Sequence, residues 1–132
     1  LMDIKQIVLD LCALSDEQEW FEFKENWFQP EVLGEYVSAL SNAAAFHYKK
    51  NAFFIWGVND VTHESVGTTF NQYCDYNKEP YQNYLARNLS PSINFKFEET
   101  EILGKRVVVL VIPSANIVQA KNIQRLDLFV KL

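Results

Sequence analysis

Two cysteines among 132 residues, Cys12 and Cys74, are too few and too widely separated for a disulfide framework or a zinc cluster. Cys12 falls within an apolar helical stripe, where a buried thiol is its simplest role, and the expected compartment is the cytoplasm. Long hydrophobic runs are also missing. The stretch 107–112 is strand-sized, so no membrane-spanning helix is expected. No secretory signal precedes the first helical pattern, and Leu1 ahead of Met2 suggests a fragment or a residue left by cloning. Glycine occurs four times and never in a loop that could cradle phosphate, which sets nucleotide hydrolysis aside. There is no repeat, low-complexity tract or internal linker. Positive charge is scarce. A net charge of −5 and a pI near 5.0 argue against a generic polyanion binder.

What is present is a core. A hydrophobic content of 48% with 14% aromatics, over this length, predicts one globular domain spanning residues 1–132. Ile4, Ile7, Val8, Leu11 and Leu14 form a helical stripe with Asp3 as N-cap. Residues 20–24 alternate, sending Phe21 and Phe23 to one face and Glu22 and Lys24 to the other. Pro30 opens a long helix, with Glu31 in its first turn, that runs to about Phe46. Asn42 is expected to tie the end of that helix to a neighbouring strand, and Asn51 to take a left-handed turn conformation. Residues 52–58 read as a central strand buried on both faces, 65–69 as a short strand, and 70–79 as irregular. A helix at 80–89, a hairpin at 93–112 turning at Gly104, and a last strand at 126–132 complete the order. The fold class is α+β, an α/β sandwich whose mixed β-sheet is packed by two or three helices.

The average charge hides a gradient. Residues 1–104 hold 7 Lys/Arg against 16 Asp/Glu, whereas residues 105–132 hold five basic residues and only Asp127. Lys105, Arg106, Lys121, Arg125 and Lys131 are therefore the candidates for contacting a phosphate backbone. A lysine-decorated strand edge is the plainer alternative. Trp20, Trp27, Phe28 and Tyr48 are candidates for stacking on unpaired bases, with Trp27 and Phe28 the best placed because they lie in a loop before Pro30. Packing against the helix start is the competing role for that pair.

Among the acids, Glu17, Glu22 and Asp60 stand out. Carboxylates at the ends of adjacent strands can converge on a hard cation such as Mg²⁺ or Mn²⁺. Lys24, two residues from Glu22, would then balance a bound phosphate; the alternative is a surface ion pair of small energy. His63, near Asp60, is either a proton-transfer group or a loop imidazole bonded within its own turn, and His47 is expected to cap the long helix.

Several segments together resemble the Schlafen-type Alba-like domain. They are Glu17-x4-Glu22-Phe23-Lys24, the stretch 39–43, the stretch 54–60 ending in Asn59-Asp60, Val66-Gly67-Thr68-Thr69, Leu89-Ser90-Pro91, and the stretch 104–113. The resemblance covers roughly residues 15–115. It implies the N-terminal module of a longer protein, a DNA-binding domain of a bacterial transcriptional regulator. It also implies a second activity, a divalent-metal-dependent endonuclease acting on structured RNA or on DNA through Glu17, Glu22 and Asp60. A Gly-Gly turn usual in the family is replaced here by residues 48–51, its Arg-x-Gly-Ser segment is missing after Leu132, and its animal zinc segment has no counterpart. A third reading is a self-association module, because the last strand invites a homodimer.

Overall fold

The computed structural model describes residues 2–14, 18–90, 93–115 and 129–130. In chain order the elements are α1 (Ile4–Cys12), β1 (Phe21–Lys24), α2 (Pro30–Phe46), β2 (Asn51–Trp56), β3 (Asp75–Tyr76) and β4 (Glu79–Pro80). They continue with α3 (Tyr81–Arg87), β5 (Leu89–Ser90), β6 (Lys96–Ile102), β7 (Lys105–Pro113) and β8 (Phe129–Val130). The main sheet has the order β1-β2-β7-β6. β1 and β2 run parallel, joined by α2 as the crossover, and the remaining pairs are antiparallel. The fold is α+β with a mixed sheet, as the sequence patterning predicts.

Alternation along the strands divides the interior into two layers. Phe21, Phe23, Phe53, Ile55, Val107 and Val109 face α1, meeting Ile4, Val8 and Leu11. Phe54, Trp56, Val108, Leu110 and Ile112 face α2, meeting Leu33, Val37, Leu40 and Ala44. β2 and β7 are therefore apolar on both sides, which explains their uninterrupted hydrophobic runs. Asp3 caps α1, its carboxylate accepting from the Gln6 amide at 3.1 Å. No helix among the described residues is long and apolar enough to cross a membrane.

Four local expectations are corrected. Residues 65–69 form no strand, only a bridge between Ser65 and Val58, because β1 and β7 already occupy both edges of β2. Within 70–79, β3 and β4 form a small hairpin whose Asn77 and Lys78 both have positive φ, the geometry of a primed two-residue turn. The tie from α2 to β7 comes from Ser41, one residue before Asn42; the buried Ser41 hydroxyl donates to the Pro113 carbonyl at 2.7 Å.

The left-handed residue after α2 is Tyr48 (φ 58), while Asn51 begins β2 opposite Pro113. The Lys49 amide donates to the Ala44 carbonyl and the Tyr48 amide to that of Ala45, the paired bonds of a Schellman motif. That motif places its left-handed residue at the position Tyr48 fills, where a side chain costs about 1 kcal/mol relative to glycine. Tyr48 is 90% exposed, so its ring has little packing to lose. Tyr48→Gly is accordingly expected to stabilise the protein by about 1 kcal/mol in urea unfolding; a loss of stability would show that the ring holds the helix end.

Candidate functional site

β1 carries the two charged candidates that the structure describes most fully. Its alternation buries Phe21 and Phe23 toward α1, so Glu22 and Lys24 are turned to the α2 side. Glu22 is half-buried and lines an open cleft of about 360 Å³ together with Gln18, Glu19, Phe21 and Leu40. Lys24 lies along the same face, its ammonium 5.5 Å from the centre of the Tyr36 ring on α2. Glu19 brings a second carboxylate to the cleft and stands 3.7 Å from the His47 ring at the end of α2. His47 caps α2 through its backbone amide, which donates to the Ala43 carbonyl.

Asp60 lies in a turn and not on a strand. β2 ends at Trp56, and Gly57 turns the chain with φ +109 while its amide donates to the Lys24 carbonyl at 2.7 Å. The following turn is organised by Asn59, whose side-chain oxygen accepts from the amides of Val61 and Thr62. Asp60 is an exposed member of that turn. Glu22, by contrast, pairs with Phe54 within β2, two residues before the strand ends. His63, at φ 62, keeps its amide bonded to the Asn59 carbonyl at 2.9 Å while its ring reaches away from the turn: Nδ1 lies 3.2 Å from the Cys12 carbonyl at the end of α1, with the ring 5.1 Å from Phe23. The His63 ring is thus a bracket between the turn and α1, and it is not bonded within its own loop as the loop-imidazole reading expects.

Glu17 lies outside the described residues. Among the described residues no three His, Cys, Asp or Glu side chains are arranged to hold a metal ion. Glu22 and Asp60 alone do not make such a site.

The basic candidates also separate. Lys105 is exposed at the start of β7, immediately after the tight turn of Leu103 (φ 52) and Gly104 (φ 76). Arg106, expected on a phosphate, is committed to the fold. Its Nη1 donates to the carbonyls of Thr68 and Phe70 at 3.2 and 2.5 Å, and its Nη2 to Gln72 Oε1 and Glu99 Oε1 at 2.9 and 3.1 Å. The bonds from Gln72 and, secondarily, Arg106 hold the Glu99 carboxyl below the usual carboxylate range. Lys121, Arg125 and Lys131 lie outside the described residues.

Of the aromatic candidates, Trp27 turns inward against Tyr36 and Phe54, and its carbonyl accepts from the Trp56 indole at 2.8 Å. Trp20 is half-buried with the Lys49 ammonium 4.9 Å from its ring centre. Phe28 remains open to solvent, as does Tyr48. The residues that sequence reasoning missed are Asn26 and Thr68. Asn26 Oδ1 accepts from the Thr69 amide at 2.9 Å, while the Thr68 hydroxyl, 3.1 Å from the same oxygen, donates its proton to the Glu25 carbonyl at 2.7 Å. Nothing in the local pattern around either residue signals this long-range clasp.

The chain matches the family model described as Schlafen, AlbA_2 over residues 17–131. Among solved structures it is similar to the DIP2311 protein of Corynebacterium diphtheriae, at 17% identity and a TM-score of 0.44. That likeness covers 85% of this chain, which spans only 22% of the Corynebacterium one. It is also similar to the N-terminal domain of a DNA helicase RecG-related protein from Nitrosomonas europaea, at 16% identity and a TM-score of 0.48, covering 100% of this chain and 90% of that one. No protein of curated function matches.

Proposed function

The chain belongs to the Schlafen AlbA_2 family, and from that membership we propose that it is a nucleic-acid-binding module of a longer bacterial regulator, acting on DNA in the cytoplasm. The match across residues 17–131 carries this reading, and the charge gradient supports it. In the proposal Lys105, Lys121, Arg125 and Lys131 contact phosphates. Arg106 holds the 68–72 segment beside β7 and does not itself bind, because its guanidinium already serves four acceptors. The acidic remainder of the chain repels a second pass of backbone and so favours one orientation.

The half-buried placement of Glu22 in a cleft beside Glu19, with Lys24 along the same strand face, favours a second reading. There the domain is a Mg²⁺- or Mn²⁺-dependent endonuclease of RNA or DNA. Glu17, Glu22 and Asp60 would hold the ion, and Lys24 would support the substrate phosphate. An ion of this kind supplies a water nucleophile and charge stabilisation at the phosphodiester. A two-fold dimer would pair two such clefts, with β1 and β6, the two outer strands of the sheet, as edges for pairing.

One experiment separates the readings. Labelled duplex DNA and structured RNA are titrated with the protein, then incubated with Mn²⁺ or a chelator. The binding reading expects a complex without cleavage, weakened three- to ten-fold by Lys105→Ala and unchanged by Glu22→Gln. The nuclease reading expects Mn²⁺-dependent products that vanish in Glu22→Gln. Absence of any complex under low salt overturns the first reading, and intact substrate under every condition overturns the second.

A further inference from the structure

Phe28, 45% exposed, stands in an open cleft lined in part by the loop that Arg106 clasps. The cleft measures about 360 Å³, and Asn26, Phe28, Thr69, Phe70, Asn71 and Asp75 line it. Ligand pockets run from roughly 300 to 1,000 Å³, so this one suits a group no larger than a single planar ring system.

The polar groups of the cleft are oriented before any ligand arrives. Asn26 Oδ1 accepts from the Thr69 amide and the Thr69 hydroxyl at 2.9 and 3.3 Å. Two donors on one oxygen fix the amide, so its NH₂ end is the one left for a ligand. Asn71 repeats the arrangement, its Oδ1 accepting from the Tyr73 amide at 2.9 Å. Asp75 adds an exposed carboxylate, an acceptor only. The loop beneath is held by the bonds from Arg106 to the Thr68 and Phe70 carbonyls. Rigid walls of this kind lower the ordering cost of binding.

Phe28 also belongs to an aromatic group. Its ring lies 5.4 Å from that of Tyr81, which is buried and whose hydroxyl has no hydrogen-bond partner among the described residues. No lysine or arginine lines the cleft. With a carboxylate at its edge, a phosphate is therefore the wrong ligand.

We propose that this cleft takes one unpaired guanine base. An aromatic face, two amide NH₂ donors and a carboxylate acceptor are the complement of that base. Guanine offers O6 and N7 as acceptors to Asn26 and Asn71. Its N1–H and N2–H donors together suit the Asp75 carboxylate in a charge-assisted, two-point contact. The other bases present fewer donors on one edge: cytosine and adenine have one amino group beside acceptors, and thymine or uracil one imino N–H. Phe28 supplies the stacking surface, as aromatic side chains do for splayed-out bases. The inference deepens the nucleic-acid reading and, for its strand-borne form, rests on it. A free guanine nucleoside would satisfy the same contacts.

Two measurements on the same chain decide between these sources. Amide NMR spectra are recorded with guanosine and with cytidine, and fluorescence anisotropy compares labelled hexacytidine with a hexamer carrying one central guanine. The expected result is that guanosine shifts the Asn26 and Asn71 side-chain amides and cytidine does not. The guanine hexamer binds at least ten-fold tighter than hexacytidine. Phe28→Ala and Asp75→Asn each remove most of that preference, whereas Lys105→Ala weakens both hexamers alike. Equal binding of the two hexamers with unshifted amides overturns the base cleft and leaves nucleic-acid binding standing. Shifted amides without binding of either hexamer support the cleft as a nucleoside site and count against the nucleic-acid reading. Unshifted amides with no hexamer bound overturn both.

Discussion

Replacing Arg106 by alanine is expected to destabilise the protein by about 2–4 kcal/mol, because the guanidinium serves four acceptors, three of them on buried residues. Two are backbone carbonyls of residues 68 and 70, and a third belongs to the buried Gln72. Leaving buried acceptors unpaired costs more than the bonds themselves contribute. Arg106→Lys is expected to recover less than half of the loss, since one ammonium cannot span a planar fork of four contacts. Urea unfolding of both variants checks this, and wild-type stability in the lysine variant would refute it. The acid side offers a second readout. The Glu99 carboxyl is depressed in the folded state, so its contribution is present above the ordinary carboxylate value and is lost as pH falls through the folded one. Removing Arg106 takes away one of the causes of that depression. The loss of stability on acidification is therefore expected to become shallower in Arg106→Ala.

Gly57→Ala is the second large effect. The backbone there has φ +109, a region side chains rarely adopt, and an added Cβ would lie 2.9 Å from the Arg106 carbonyl and 3.3 Å from the Gly67 carbonyl carbon. Both neighbours are backbone held in place by hydrogen bonds, the Gly57 carbonyl accepting from the amides of Val66 and Gly67. Strain of this kind together with overpacking amounts to about 2–4 kcal/mol. For a domain of this size that lowers the melting temperature by roughly 8–15 °C. The crossing also sets the direction of the Asn59–Thr62 turn, so the variant is expected to disturb Asp60 and His63 as well. A melting temperature within two or three degrees of wild type, on the order of a surface substitution, would contradict the account.

The parts of the fold legible in the sequence are those governed by local periodicity. The period of α1, the Pro30 start of α2, the alternation of Phe21 and Phe23, and the two-sided apolar runs of β2 and β7 all appear where patterning places them. The parts that were not legible depend on partners far along the chain. Residues 65–69 carry strand-like composition, yet the edges of β2 are already taken. Arg106 looks like any surface cation until three of its four acceptors, more than thirty residues earlier, are brought beside it. Trp27 and Phe28 are adjacent and chemically alike, yet one packs on Tyr36 and Phe54 while the other faces solvent. Only the path of the chain around Trp56 distinguishes them.

The candidate site was legible in the same limited way. The strand period correctly turns Glu22 and Lys24 to one face, because side chains alternate along any strand. It says nothing of Asp60, whose position depends on the Gly57 crossing and the Asn59 turn. Nor does it distinguish a cation available to a phosphate from one consumed by carbonyls, which is the difference between Lys105 and Arg106. Their exposure and hydrogen bonding in the folded chain make that distinction.

The salt dependence of nucleic-acid binding tests the proposed function most directly. Anisotropy of labelled duplex DNA, measured from 50 to 200 mM salt, is expected to give log K falling with log salt at a slope of about −2 to −4, matching release of counterions from two to four phosphates. Lys105→Ala is expected to make that slope shallower by about one. No complex at the lowest salt, or an affinity indifferent to salt, would contradict the assignment of the basic C-terminal residues to a phosphate backbone.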